Sequence, residues 1–506
     1  MNNLVKTIIV ALLSFTGSAT VALCHTSAQR AIERTGTREQ LKSAAWGVFA
    51  MKMNGDTIAD INRRQKMVPA SNVKLLTTGL ALKTLGPDFR FETGIGYSGE
   101  IEGSTLHGDL YIIGGGDPTT GSKADCAEQT ASLFSKWVKF IKNAGIKKIE
   151  GCVVGDPRFF KCLCDENAGW LYEDIGSFDG AAPLGLNFYE NTQKITIEAG
   201  KTAGVRPEIH AVYPEVPWMK FINNALTAEP NEPNTIFFSN TDLGPFAAIN
   251  GKIPAKRGSF GFDCDNEFGS YTCAAYFHNY LKKNGISISG GYADIDRDGC
   301  IRTDLEHSGE GKKAAEDLNI LGTTLSATLA DIIDDTNRYS NNFFAETLIH
   351  TIAQKKEGTS EYKDCIKTAQ AIFGTMGLKT KNSCKMVDGS GLSRKNYISP
   401  EFFVQFLSKM AKEQDFDVYF SSLPQPGVKG TMMNFMPKQP DEVKTRVHCK
   451  TGSMDGVLCY SGYICASNGN PDDMIVFSVM TNNSTSGFWG MRAAIEEIVG
   501  ALCAEN

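Results

Sequence analysis

The sequence predicts a mixed α/β (α+β) protein in which the two ends of the chain build one discontinuous domain around β-rich insertions. Three observations predict it. An N-terminal piece up to residue 90 carries a strand and a strongly helical segment. Residues 91–120 and 165–250 are short runs broken by Gly, Pro and Asn, the pattern of strands and turns, with one helical stretch between them. Helical periodicity returns at SYTCAAYFHNYLKKNGI and dominates from LSATLADIID to about residue 413. The chain then closes on strand, strand, strand and helix (TRVHCKTG, VLCYSGYICA, DMIVFSVMTNN, FWGMRAAIEEIVGALC). The predicted division is residues 29–90 with 291–506 as the terminal domain, 91–164 with 251–290 as an insert, and 165–250 as a second insert nested in the first.

The first 28 residues read as an export signal. Lys6 precedes an apolar run from Thr7 to Phe15, and small residues follow, with candidate cleavage after Ala19, Ala22 or Ala28. The run is shorter than the ~20 residues needed to cross a bilayer. Leu23 stands before Cys24, where a lipid-attachment site would want a small residue. The protein is therefore expected to be periplasmic, with membrane contact at most peripheral.

The elements then follow in order. WGVFAMK reads as a strand. SNVKLLTTGLALKTLG reads as a helix, with Pro69 ahead of it and Gly86 behind it. FETGIGYSGEIEGSTLHGDLYIIGGGDPTT alternates strand-like runs with glycine turns. The next helix gathers Leu133, Trp137, Phe140 and Ile141 on one face, and KIEGCVVGDPRFF leads into the turn-rich nested region.

Composition removes several function classes. The 506 residues are 42% hydrophobic and 21% charged, and 51 Lys+Arg against 57 Asp+Glu give a net charge of −6. These are globular values. No cationic surplus exists to neutralise a phosphate backbone, so nucleic acid is not an expected partner. Of 14 cysteines, 13 remain if Cys24 leaves with the signal, so at least one is unpaired. Cys152 with Cys162 or Cys164, and Cys365 with Cys384, are candidate bridges. No C-x-x-C pair occurs and the seven His are scattered, so neither a metal nor an organic cofactor is expected.

Three short patterns could carry chemistry. In Ser71-Asn72-Val73-Lys74, a serine at a helix start has a lysine amine one turn above it. Serine needs a base to become a nucleophile. Lysine can be that base if burial or a second cation lowers its pKa. The same spacing recurs at Ser360 and Lys363, so the pattern alone is weak. Ser340-Asn341-Asn342 lies between two amphipathic stretches, where Ser340 could relay a proton and Asn342 could hold the lysine and a substrate carbonyl. In Lys450-Thr451-Gly452, at a strand end, Lys450 and Thr451 suit a carboxylate. Gly452 lets the backbone approach a substrate closely, and the Ser453 N–H could pair with that of Ser71 as an oxyanion hole. Each pattern alone reads as an ordinary cap or turn. Together they occur in the order S-x-x-K, S-x-N, K-T-G, each on the element its chemistry needs.

On these motifs the chain resembles the class C low-molecular-mass penicillin-binding proteins, the D-alanyl-D-alanine carboxypeptidase/endopeptidase family. HGDLYIIGGGDPTT, Gly169-Trp170, VDGSGLSRKN, GVKGTM and GYICA add to the resemblance, which spans nearly the whole chain after the signal. It implies a penicillin-binding/β-lactamase-like transpeptidase domain, an antiparallel sheet with flanking helices, carrying inserts between Ser71 and Ser340. It implies that Ser71 is acylated, that Lys74 is the base, and that Ser340 and Asn342 relay the proton and orient substrate. Lys450 and Thr451 would then bind the terminal carboxylate of a peptidoglycan peptide, and β-lactams would inhibit by acylating Ser71. The segment FDCDNEFGS lacks the proline usual near the return from the insert. Asp388 and Arg394 are expected to be structural members of a loop. The expected reaction is release of the terminal D-Ala. DD-endopeptidase action on cross-links is the alternative, and a β-lactamase or an inactive wall-binding scaffold are further ones.

Overall fold

The computed structural model describes residues 26–505, apart from 161–166, 168, 241–243 and 308. Most of the expected export segment lies outside the described residues, as do Cys24, Cys162 and Cys164. Its last residues already belong to the fold. Thr26 caps the helix Ser27–Gly36 by accepting from the Gln29 N–H, and Ala28 is buried.

The two chain ends meet in one antiparallel sheet. Its strand order is Thr57–Ile61, Ala45–Lys52, Ile475–Asn482, Val457–Ile464, Val447–Met454. The strands Val457–Ile464 and Ile475–Asn482 are buried at every position. An ordinary one-sided sheet would alternate; burial throughout requires cover on both faces. The helices Gly487–Cys503 and Ser27–Gly36 cover one face, around Val48, Phe477, Ile495 and Ile498. The other face carries a helical layer built from Val73–Leu85, Leu329–Tyr339, Asn342–Glu357 and Pro400–Met410. Val73–Leu85 is buried from Val73 to Leu82 without a break. That is the environment of a core helix, and Lys74 is the one charged group within that run.

The insert has its own layers. A six-stranded sheet runs Ile301–Arg302, Tyr292–Ile295, Val153–Asp156, Leu110–Ile113, Glu92–Tyr97, Asn319–Leu325. Helices Thr130–Asn143 and Gly269–Lys283 pack over it, burying Leu133, Trp137 and Ile141 with Phe277 and Leu281. Phe140, expected on the same face, is only partly buried. The chain does not return to the terminal domain at 291. Tyr292–Ile295 and Asn319–Leu325 hydrogen-bond into the insert sheet, and the terminal domain resumes at the helix beginning with Leu329.

The nested unit is longer than 165–250 for the same reason. Ser259–Asp265 pairs along its length with Thr192–Glu198, so the ladder carries the unit to residue 265. The segment FDCDNEFGS is the end of that strand and the approach to helix Gly269–Lys283. No disulfide joins any two of the described cysteines, Cys152, Cys365 and Cys384 among them. No helix among the described residues is long and apolar enough to cross a membrane.

Candidate active site

Ser71 lies not in the α-helix but in a single 3-10 turn, Ala70–Asn72, that feeds it. Ala70 is forced to φ +47°. A left-handed, non-glycine residue stores on the order of 1–3 kcal/mol of strain, and the fold holds it by crowding. The Ala70 carbonyl lies where a side chain at Gly391 would be, 2.0 Å from an ideal Cβ. The strand Val447–Met454 presses on the turn from the other side. An ideal Cβ on Gly452 would sit 2.5 Å from the Pro69 carbonyl and 3.0 Å from the Ser71 nitrogen. The expectation was that Gly452 admits substrate. In the structure it admits the serine turn itself.

Lys74 is fully buried and its ammonium has three acceptors: Ser71 Oγ at 2.9 Å, Asn342 Oδ1 at 2.6 Å and the Ser390 carbonyl at 2.8 Å. Three N–H groups are thus matched. Burial pulls its pKa down to about 8, opposed by the charges of Glu346, Asp179 and Asp388. At pH 7 about a tenth of such a group is neutral, against a few in ten thousand for a free lysine.

Ser340 and Asn341 are the whole connection between helices Leu329–Tyr339 and Asn342–Glu357. Ser340 is the left-handed end of the first, at φ +62°. The N-cap of the second is Asn341, whose Oδ1 accepts from the Phe344 N–H at 2.9 Å. The tight turn frees the Ser340 hydroxyl, which accepts from Lys450 Nζ at 2.9 Å. Lys450 is fully buried and also donates to the Thr451 carbonyl at 2.7 Å. Burial, and then the charge of Lys74, hold its pKa well below the ordinary lysine value.

Several residues around this set were not singled out from sequence. Asp179, in the 3-10 turn Phe178–Gly180 of the nested unit, accepts from Asn342 Nδ2 through its backbone oxygen at 3.1 Å and Oδ1 at 3.2 Å. Burial raises its pKa. Glu346, one turn beyond Asn342, accepts from the Gly389 and Ser390 N–H groups at 3.0 and 2.7 Å and from the Tyr362 hydroxyl at 3.2 Å. It therefore fixes the carbonyl that receives Lys74. Burial lifts the pKa of Glu346 to about 7. The helical spacing of Asn342 and Glu346 was a usable signal; the contact with Asp179, 163 residues away, had none.

Asp388 holds the adjoining loop by accepting from Gly391 and Ser393 N–H, Asn396 Nδ2 and Trp170 Nε1. Arg394 donates to the Asp455 carbonyl at 3.1 Å. The second S-x-x-K resolves as a decoy. Ser360 is buried, while Lys363 is exposed and paired with Glu361.

An open cleft of about 470 Å³ lies over Ser71, with Ser340, Asn342, Asp174, Arg394 and Ser453 in its walls. Thr451 is half-buried one residue before Gly452 on the same strand. Among the described residues, Glu198, Glu208 and His210 have the spacing of metal ligands, but they are exposed strand residues of the nested unit and no part of this cleft.

Comparison with known proteins follows this geometry. The model of the D-Ala-D-Ala carboxypeptidase 3 (S13) family matches residues 28–502. The chain is 25% identical over 488 residues to a D-alanyl-D-alanine carboxypeptidase of Actinomadura sp. (strain R39), covering 92% of this chain and 82% of that protein. It is 27% identical over 480 residues to penicillin-sensitive carboxypeptidase A of Dictyostelium discoideum, covering 90% and 86%. Among solved structures, penicillin binding protein 4 (dacB) from Haemophilus influenzae superposes with a TM-score of 0.77 at 24% identity, covering 94% of this chain and 98% of that one. That protein has also been solved in complex with a β-lactam.

Proposed function

The chain belongs to the D-Ala-D-Ala carboxypeptidase 3 (S13) family, and from that premise we propose that it is a serine-type D-Ala-D-Ala carboxypeptidase acting on peptidoglycan peptides. The observation that carries the reading is the buried Lys74 amine, 2.9 Å from Ser71 Oγ, with a pKa lowered to about 8. In its neutral form it accepts the Ser71 proton as Oγ attacks the carbonyl of the penultimate D-Ala. The Ser71 and Ser453 N–H groups stabilise the developing oxyanion. Lys450 and Thr451 bind the terminal carboxylate, whose charge favours the protonated form of Lys450 that burial disfavours. Lys74 then gives that proton up to the departing D-Ala amine, with the Ser340 hydroxyl, held by Lys450, as the relay, so that the lysine is neutral again for the second step. Asn342 orients Lys74 and the substrate amide. Water then hydrolyses the acyl-enzyme with the same lysine as base.

The relatives' names and the β-lactam complex of the Haemophilus protein support β-lactams as covalent inhibitors here. The substrate lies outside the cytoplasm, which supports export and a periplasmic location. The test is release of D-Ala from a soluble pentapeptide, together with mass-spectrometric mapping of a penicillin adduct. The adduct is expected on Ser71, and Ser71→Ala is expected to lower D-Ala release by at least about 10³-fold with the fold unchanged. An adduct on another residue would overturn the assignment.

A further inference from the structure

The insert carries a second concavity, and it shares no wall residue with the cleft over Ser71. It is a groove of about 450 Å³ between helix Gly269–Lys283 and the loop that follows strand Glu208–Tyr213. That volume is within the range of small-ligand sites, about 300–1,000 Å³. The helix presents two faces. Ala274, Phe277 and Leu281 are sunk in the insert core. Tyr276, Tyr280 and Lys283, spaced four and three residues apart, share the other face and line the groove. Tyr213, Trp218 and Tyr292 complete its walls.

All five of these aromatic rings are half-buried. Each is held by neighbouring rings. Tyr213 meets Tyr276 at 5.6 Å between centroids, Trp218 meets Tyr292 at 5.9 Å, and Tyr280 meets Phe134 at 5.6 Å. The Tyr276 hydroxyl accepts the Glu215 N–H at 2.6 Å and pins the loop to the helix. The Trp218 indole N–H is buried and makes no hydrogen bond among the described residues. A buried donor without a partner is uncommon in a native fold, and this one belongs to a residue of the groove wall. Glu215 and Lys283 bring opposite charges to the rim, so no net charge selects for an anion.

We propose that this groove binds an amino-sugar oligosaccharide, the glycan strand of the same polymer whose peptides the cleft trims. Pyranose rings have apolar C–H faces and a rim of hydroxyl and amide groups. Ring faces with polar edges match both at once, and rigid Tyr and Trp supply that area at low entropic cost. Holding the glycan raises the local concentration of the attached peptides at Ser71. The inference rests on the proposed substrate for its purpose, though not for its geometry.

The experiment is isothermal titration of the full chain with the uncharged tetrasaccharide of N-acetylglucosamine, alongside D-Ala release from a soluble pentapeptide. Trp218→Ala is expected to weaken saccharide binding about tenfold or more and to leave pentapeptide hydrolysis unchanged. Asn279→Ala, at an exposed groove position, is expected to weaken binding severalfold and guards against misfolding of the first variant. Protein acylated with penicillin should bind the saccharide as before. The inference is overturned if the wild-type chain does not bind the tetrasaccharide, if both variants bind as wild type, or if penicillin abolishes binding. Failure to cleave the pentapeptide would instead overturn the proposed activity, and the titration reads the groove independently of it.

Discussion

Lys74 is the residue on which the chemistry turns, because its pKa results from two opposed effects. Burial lowers it, and Glu346, Asp179 and Asp388 raise it. Glu346 also clamps the loop that supplies the Ser390 carbonyl. It touches no substrate position and acts through Lys74, so it is a positioning residue. Glu346→Gln removes a negative charge near an ammonium, which disfavours the charged lysine and lowers its pKa further. If neutral Lys74 is the base, the acid limb of the kcat/KM profile must move to lower pH, while kcat falls because the amide NH2 that replaces one carboxylate oxygen is set against the Gly389 N–H and loosens the clamp. A limb that stays in place would show that Lys74 does not titrate in that limb.

At the scale of elements, two backbone devices present the site. The first is the two-residue joint between helices. Ser340 adopts a left-handed conformation, which glycine takes without strain. Ser340→Gly should therefore keep the melting temperature within a few degrees while lowering D-Ala release by about 10²–10³-fold, since only the hydroxyl against Lys450 is lost. A variant that stays fully active would remove Ser340 from the proton path. The second device is the contact between strand Val447–Met454 and the Ser71 turn. Gly452→Ala would drive a methyl group into backbone atoms, pushing the strand and the turn apart. A misplacement of about 1 Å at a reacting centre costs on the order of 10²-fold. Penicillin acylation should slow by that factor, as measured by stopped-flow or gel-band kinetics; an unchanged rate would show that the contact is slack.

For the whole molecule, the free thiols and the insert matter most. Eleven described cysteines are all unbonded. A structural disulfide is typically worth 2–4 kcal/mol, which amounts to several degrees of melting temperature in a chain of this size. Dithiothreitol is therefore expected to leave the melting temperature unchanged within about 1 °C, and a drop of several degrees would contradict it. The insert is more than an appendage. Asp179 reaches from the nested unit to Asn342, and Trp170 to Asp388, so the nested unit and the helical layer are fastened at the site itself.

The antiparallel sheet, the helical layers and the two interruptions were legible because hydrophobic period and turn composition are local properties of the chain. The three motifs were legible because their chemistry needs particular side chains at fixed local spacing. The end of the insert was not, since Tyr292–Ile295 and Asn319–Leu325 could pair with either sheet as far as their own residues show. Nor was the use of Gly452, which depends on what lies opposite it. The sequence by itself determined which groups could react and on what kind of element each stands. Only the tertiary structure decided that Lys74 is buried, that Asp179 and Glu346 stand behind the site, and that Lys363 stays in water. Desolvation and charge proximity depend on what packs against a residue from elsewhere in the chain.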